Sequence, residues 1–190
     1  MAEGNSQMRI KEYKDCCKGC DISRGIERKP GEIIGLEGNW ILNHFAGDGV
    51  FLGWMALQPR FHRMKFTDLT DDETKALGKN IQNINIALCE YWSIRFPKDP
   101  IEKLYVVCFL ESEEYHIHIH LIPRTKELGG EDPTVYMAWK TSERTKKDRF
   151  PPEYRIMIND PSGSMLEDQK VVDLMSSLKD ILSKISAKKG

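Results

Sequence analysis

The chain contains 190 residues and carries a formal net charge of -1 from 28 basic and 29 acidic side chains. A chain of this length fits one domain, or one domain with an appendage, and can bury a full core without metals or disulfides. The balanced charge gives no overall field that would favour nucleic acid or an anionic membrane. No apolar run reaches the roughly 20 residues that span a bilayer, and the first residues are polar rather than signal-like, so we expect a cytoplasmic protein.

The N-terminal region begins with a polar leader over residues 1–14. Residues 15–38 are rich in Cys, Gly, Lys and Glu, which predicts a loop with little regular structure. Three of the five cysteines, Cys16, Cys17 and Cys20, lie in this stretch. In a reducing compartment, an odd number of cysteines with this crowding indicates a metal site or free thiols rather than disulfides.

Strands are predicted in two regions. Residues 40–45 and 50–57 have the composition of two strands, and a Gly-Asp-Gly turn at residues 47–49 joins them into a hairpin. Residues 103–110 contain a continuous apolar run, which predicts a buried strand.

A capped helix lies between these regions. Thr70 and Glu73 have the spacing of a capping box. The apolar residues that recur behind them at helical intervals are Leu77, Ile81, Ile84, Leu88 and Trp92. We therefore predict a helix over residues 71–92, which Pro97 and Pro100 prevent from continuing.

The C-terminal region divides into a polar segment and a helix. Residues 126–163 are polar and contain prolines, which predicts a mobile segment or a lid. Residues 164–190 contain a predicted helix over 166–185. Its apolar stripe consists of Val171, Leu174, Met175, Leu178, Ile181, Leu182 and Ile185. Such a stripe packs more often on the body of its own chain than on a partner subunit.

The most informative feature is the alternation of three histidines with aliphatic residues. His116, His118 and His120 lie two residues apart, so a strand would direct all three imidazoles to one face, about 7 Å apart, and the aliphatic residues to a core. Imidazole ionises near neutral pH, which suits it to nucleophilic attack, proton transfer or metal binding. Three idle histidines on an exposed face are the alternative, although Thr, Val or Lys is commoner there.

The order of hairpin, capped helix, strand and alternating histidines resembles the histidine triad (HIT) family over residues 17–124. Residues 53–62 are similar to the family strand that ends in Pro-x-x-His, and residues 116–124 match the triad with its Ile-Pro-Arg tail. The resemblance implies a HIT-like domain over residues 15–125. Its fold would be α+β, with a long helix on an antiparallel sheet and an additional C-terminal helix, and it implies a homodimer.

The resemblance also implies nucleotide hydrolysis or nucleotidyl transfer at the α-phosphate. By position, the catalytic candidates are His116, His118 and His120. His118 corresponds to the nucleophile that forms a covalent nucleotidyl-histidine intermediate, and His120 to a residue that contacts the phosphate or assists the leaving group. Asn43 corresponds to a polar residue that holds the ribose, although an asparagine at a strand end is an equally good interpretation.

A second constellation predicts a zinc site. Cys17 and Cys20 have a C-x-x-C spacing, and with His62 and His116 they form a good tetrahedral set of ligands. This set is similar to the zinc site of some HIT relatives, in which the first triad histidine is a ligand and the metal is structural. Two alternatives stay open: Cys16 in place of Cys17, and loop cysteines without metal.

Two segments depart from the family pattern. Before the triad, where family members place a Gly-rich stretch and a hydroxyl or amide that receive the phosphate, this chain has Glu111-Ser112-Glu113-Glu114. Carboxylates there would repel phosphate unless they point away, and Ser112 is the candidate substitute. The family's Gly-His pair appears as Gly53-Trp54. A nucleotide-binding or regulatory protein with little turnover is therefore a second hypothesis. A cupin-like metalloprotein whose three histidines bind a catalytic metal is a third.

Overall fold

The computed structural model describes residues 13–46, 51–108, 115–129 and 168–188. The strands are β1 (Ile34–Leu36), β2 (Trp40–His44), β3 (Met55–Pro59), β4 (Lys103–Cys108) and β5 (Ile119–Arg124). The helices are α1 (Lys18–Ser23), α2 (Asp71–Arg95), α3 (Lys126–Gly129) and α4 (Gln169–Ala187). The strands form one antiparallel sheet in the order β1-β2-β3-β5-β4, which confirms the predicted α+β class. None of the helices in the described ranges is long and apolar enough to cross a membrane.

Helix α2 begins at the predicted capping box. The Thr70 hydroxyl accepts a hydrogen bond from the Glu73 backbone N–H at 3.2 Å, and the Glu73 carboxylate accepts one from the Thr70 N–H at 2.7 Å. The helix continues past the predicted end and stops at Arg95, before Pro97. The sequence signals for its start and its termination are therefore confirmed.

One apolar core joins the sheet to helices α2 and α4. Directly paired residues of an antiparallel sheet share a face, so Leu42, Leu57 and Ile119 form one row across β2, β3 and β5. They are buried in one cluster with Leu88 of α2 and Leu178 of α4. The apolar stripe of α4 is therefore covered by its own chain, as the sequence predicts.

A second row of side chains crosses the opposite face of the sheet. Asn43 pairs with Ala56, Ala56 with His120, and His120 with Val107. Successive residues of a strand point to opposite faces, so this row faces away from the core. His120 and Asn43 thus lie on one face of the sheet, with the small Ala56 between them.

The prediction of a loop over residues 15–38 is wrong in two places. Helix α1 and strand β1 lie within this stretch. Elements of six and three residues are too short to give a periodic signal in the sequence. Burial of Gly19, Cys20 and Ile22 against the rest of the chain accounts for α1, since a helix of this length is not stable alone.

Two strand predictions also need correction. The second strand of the hairpin begins at Met55 rather than at residue 50, because a turn at Gly53, with a φ of 91°, precedes it. Such a positive φ favours glycine. Strand β4 is not buried, because it forms an edge of the sheet, and its Val106 is 48% exposed.

Some predictions fall on other parts of the chain. Residues 1–12, the hairpin turn at 47–49, residues 109–110 of the predicted strand and residues 130–163 of the polar segment lie outside the described residues. Helix α3 occupies the start of that segment. The helix predicted over residues 166–185 is present as α4, which begins at Gln169 and ends at Ala187.

Candidate functional site

The four predicted zinc ligands lie together. Cys17, Cys20, His62 and His116 each offer one ligand atom, and these atoms all lie within 4.8 Å of one another. Cys17 and not Cys16 contributes the first thiol, because Cys16 is exposed and Cys17 is buried. Among the described residues, this is the only group of three or more candidate metal ligands, so the cupin-like arrangement in which the three histidines share a metal is not found.

The hydrogen bonds of His116 direct the correct nitrogen toward the two sulfurs. Its Nε2–H donates to the Pro59 carbonyl at 2.9 Å, so the lone pair of the neutral ring is on Nδ1. That atom lies 3.5 Å from the Cys17 sulfur and 3.7 Å from the Cys20 sulfur. A histidine that gives its second ring N–H to a backbone carbonyl has the usual arrangement of a metal ligand.

The distances between ligand atoms fit zinc. Zn–S bonds of about 2.3 Å and Zn–N bonds of about 2.05 Å give a nitrogen to sulfur separation of roughly 3.6 Å in a tetrahedron. The Nδ1 atom of His62 lies 3.5 Å from the Cys20 sulfur, which agrees with this separation, as do the two distances from His116. The Lys14 backbone N–H also points to the Cys20 sulfur at 3.3 Å, where it would stabilise a thiolate. The cluster is therefore compatible with zinc binding.

Local packing explains why a glycine lies between the two cysteines. A Cβ atom on Gly19 would lie only 2.7 Å from Cε1 of His116, so the ring needs the space that glycine leaves. The Gln58 side chain of β3 donates to the Gly19 carbonyl at 2.8 Å and to the Ser23 hydroxyl at 3.2 Å. These contacts hold α1 against the sheet beside the first triad histidine.

Burial sets the protonation of the cluster. It lowers the pKa of His116 to about 4, and burial together with the charge of Lys14 lowers the pKa of His62. Both rings are thus neutral near pH 7 and can bind a metal. Burial raises the pKa of Cys20 to about 11 in the absence of a metal, so an incoming ion displaces its proton.

A buried ion pair connects this cluster to α2 and to the triad segment. The Arg63 guanidinium donates through Nε to the Glu73 carboxylate at 2.9 Å and through a terminal nitrogen to the His62 carbonyl at 3.2 Å. The Arg63 carbonyl accepts a hydrogen bond from the Ile117 N–H at 2.8 Å. Nothing in the sequence singles out Arg63, because its partners depend on tertiary contacts.

The prediction that the three imidazoles line one face of a strand is wrong, because only His120 lies in a strand. Strand β5 begins only at Ile119, so His116 and His118 precede it. The His116 ring lies at the cysteine cluster, 5.7 Å from the His62 ring between centroids. The His118 and His120 rings are neighbours, with centroids 5.1 Å apart and planes at 78°. The triad therefore divides into one candidate metal ligand and one pair.

The His118 ring has a defined orientation. It is partly exposed, and its Nδ1–H donates to the His116 carbonyl at 3.0 Å. The lone pair of the neutral ring is therefore on Nε2. An imidazole held in this way can attack an electrophile through Nε2, while the carbonyl stabilises the positive charge that develops on the ring.

The His120 ring lies against the side chains of Trp54 and Phe45, neither of which the sequence predicts as a site residue. The indole N–H of Trp54 donates to His120 Nδ1 at 3.0 Å, and the Phe45 ring meets His120 edge-on at 4.7 Å. Burial lowers the pKa of His120 to about 4, and the charge of His118 contributes in the same direction. His120 is thus a neutral group near pH 7.

Of the two predicted substrate-binding residues, Asn43 lies within the described part of the chain and Ser112 does not. Asn43 is buried two strands away from His120, in the same row and on the same face, and its side-chain amide lies 3.5 Å from the Ala56 carbonyl. Ser112 and the glutamates beside it, residues 111–114, lie outside the described residues.

Comparison with known proteins supports the fold. No protein-family model and no curated protein matches this chain. A solved structure of a Zn-bound histidine triad family protein from Mycobacterium smegmatis is similar, with a TM-score of 0.50 and 13% identity over 90% of this chain and 96% of that chain. A HIT family hydrolase from Legionella pneumophila Philadelphia 1 matches with a TM-score of 0.38 and 21% identity over 56% of this chain and 90% of that chain. The match to the Mycobacterium smegmatis structure confirms the resemblance to histidine triad proteins at the level of the fold.

Proposed function

We propose that this protein is a nucleotide hydrolase or nucleotidyl transferase that acts at the α-phosphate through a covalent intermediate on His118. The observation that carries this proposal is the hydrogen bond from His118 Nδ1–H to the His116 carbonyl, 3.0 Å long. It fixes the tautomer in which Nε2 holds the lone pair, which is the form that a nucleophile requires.

The proposed reaction has two displacements. In the first, the Nε2 lone pair forms a bond to the α-phosphorus, and the bond from phosphorus to the leaving group breaks with its electron pair on that group. In the second, water or another acceptor attacks the phosphorus and gives up one proton, which the solvent or the departed leaving group takes up. The N–P bond breaks and returns its electron pair to His118. Hydrolysis thus yields a nucleoside monophosphate and regenerates the neutral ring.

The remaining groups have supporting roles in this proposal. His120, whose ring centroid lies 5.1 Å from that of His118, contacts the phosphate or the leaving group. Asn43 holds the ribose, and its place in the row with His120 supports this assignment. Ser112 receives the phosphate from the segment before the triad.

The proposal includes a structural zinc ion held by Cys17, Cys20, His62 and His116. The bound ion would supply a fixed anchor between α1, the segment after β3 and the start of the triad, and it takes no part in the displacement. A reducing cytoplasm would keep both thiols available to it. The proposal also includes a homodimer, which the family resemblance implies.

Covalent catalysis can be tested by mass spectrometry of the intact protein at a short quenched time. The protein is incubated with a nucleoside phosphoramidate or a dinucleoside polyphosphate, and the wild type is compared with His118→Ala and His118→Gln. We expect a nucleotidyl adduct in the wild type alone, while both variants still bind the nucleotide. An adduct that persists in both variants would exclude His118 as the nucleophile.

A nucleotide-binding protein with little turnover is the second candidate. The sequence Glu111-Ser112-Glu113-Glu114 favours it, because carboxylates near a phosphate weaken binding of the charged transition state. Measurable nucleotide binding without any adduct or product, across several bases and leaving groups, would select this function.

The zinc assignment has a matched control in the neighbouring cysteine. We expect about one zinc per chain in the purified wild type and in Cys16→Ser, and loss of most of the zinc in Cys17→Ser, measured by elemental mass spectrometry. Equal zinc content in both variants would contradict the assignment of Cys17.

A further inference from the structure

We propose that Trp54 is a positioning residue that fixes His120 in the tautomer with its hydrogen on Nε2, so that His120 serves the reaction as a neutral hydrogen-bond donor. This inference rests on the proposed function for its catalytic consequence. The tautomer itself can be measured whether or not the protein turns over a nucleotide.

The direction of one hydrogen bond carries the inference. An indole N–H can only donate, so the His120 Nδ1 atom that lies 3.0 Å from it must accept. A neutral imidazole has one donor and one acceptor nitrogen, and the hydrogen of His120 therefore lies on Nε2. Both side chains are almost fully buried, with exposed fractions of 4% for Trp54 and 2% for His120, so water does not compete for this bond.

The indole is itself held on several sides. Its ring stacks on Phe45 and meets Phe51 at a tilt, with centroids 5.6 Å away in each case. The Trp54 carbonyl accepts a hydrogen bond from the Phe45 N–H at 2.8 Å, and its N–H donates to the Phe51 carbonyl at 3.2 Å. A donor fixed in this way imposes its orientation on the partner ring instead of following it.

The surroundings of His120 favour the neutral ring. Its ring contacts within the described part of the chain include the uncharged rings of Trp54 and Phe45, and His118 is an ionisable group that faces it. Burial and the charge of His118 both lower its pKa, to about 4. A proton on Nδ1 would also have to displace the indole donor.

A chemical consequence follows for the displacement at phosphorus. With Nδ1 occupied by the indole, His120 presents an N–H to an oxygen of the phosphate or the leaving group and stabilises the charge that develops there. It does not act as a general base, because its lone pair is already engaged. The pH dependence of kcat should therefore show no ionisation of His120 between about pH 5 and pH 8, in contrast to an unperturbed histidine.

The test is nitrogen NMR of protein labelled with ¹⁵N-histidine, in which the two ring nitrogens of each tautomer have distinct chemical shifts. His120→Gln assigns the signals. The wild type should show a single Nε2–H form of His120 near neutral pH. A hydrogen on Nδ1 in the wild type would overturn the inference without any further variant.

Two tryptophan variants complete the experiment. Trp54→Phe keeps the packing and removes the donor, so we expect mixed tautomers of His120 and protonation at a higher pH. Trp40→Phe is the control, because Trp40 is also buried and its indole N–H donates to the Glu73 carbonyl at 2.8 Å, away from His120. It should leave the His120 spectrum unchanged. An unaltered tautomer in Trp54→Phe would refute the role of Trp54.

The kinetic readout separates this inference from the proposed function. In Trp54→Phe we expect kcat to fall roughly five- to tenfold with little change in KM, the effect of one hydrogen bond of ordinary strength, and to acquire a dependence on pH near neutrality. An equal loss in Trp40→Phe would indicate a general structural effect and contradict the inference. If no nucleotide is turned over, the proposed catalytic function fails, while the NMR result still decides the tautomer.

Discussion

His44 provides a quantitative test of how burial controls protonation in this fold. It is the last residue of β2, and it is fully buried on the core face of the sheet, where it pairs with Met55. Its Nδ1–H donates to the Phe45 carbonyl at 2.8 Å, and its Nε2 accepts the Gly53 N–H at 3.1 Å. Burial lowers the pKa of His44 from 6.5 to about 4, against smaller opposing effects of the Phe45 carbonyl and the charge of Asp168.

This shift makes stability depend on pH. The pKa of His44 is depressed in the folded protein, so its contribution to the free energy of unfolding is complete above pH 6.5. This contribution declines as the pH falls toward 4, because the unfolded chain binds a proton there that the folded chain does not. With about 1.4 kcal/mol for each pH unit of the shift, the loss between about pH 7.5 and about pH 5 is roughly 2 kcal/mol.

The assay is urea unfolding of metal-free wild type and His44→Gln at these two pH values. Gln can replace both hydrogen bonds but does not titrate, and we expect a cost of roughly 1 kcal/mol at the higher pH. The wild type should lose roughly 2 kcal/mol more than the variant on acidification. Protonation of His116 and His120 affects both proteins equally and cancels in this comparison. Parallel stability curves would refute the argument that His44 is neutral because it is buried.

Two further substitutions test the metal cluster and the buried ion pair between Arg63 and Glu73 that lies beside it. Gly19→Ala should weaken zinc binding and destabilise the fold, since its new methyl group would lie only 2.7 Å from the His116 ring. Zinc titration with a competing chelator measures the affinity. An affinity equal to that of the wild type would contradict this prediction. Glu73→Gln removes the charge partner of buried Arg63 and should cost about 3 to 5 kcal/mol in the free energy of unfolding. Glu90→Gln, on the exposed surface of the same helix, should cost less than about 0.5 kcal/mol, and a similar cost for both glutamates would rule out the buried pair as the cause.

The sequence predicts the elements whose signals are local. Thr70 and Glu73 mark the start of α2 because a capping box depends on residues three apart, and the stripe of α4 is visible because a helix repeats its faces. The donor set of the zinc cluster could also be predicted, since the C-x-x-C spacing and the histidine chemistry are properties of residue type.

Other features depend on contacts between distant segments. The separation of His116 from His118 and His120 arises because Pro59 and the cysteines hold the first ring before β5 begins. The hydrogen bond between Trp54 and His120 joins the residue before β3 to a residue of β5, and no spacing in the sequence indicates it. The edge position of β4 likewise follows from strand order, which the apolar run within residues 103–110 does not reveal.

The Cys17, Cys20, His62 and His116 cluster also has a consequence for chain topology. Its contacts join residues that are 42 and 99 positions apart in the sequence. An ion bound there would act as a reversible cross-link, and closing long loops lowers the conformational entropy of the unfolded ensemble. With the ion bound, the N-terminal segment and the triad segment would unfold locally together rather than separately. Removal of the metal should therefore first be detected as rapid proteolysis near α1. The lifetime of the folded chain would thus depend on metal supply.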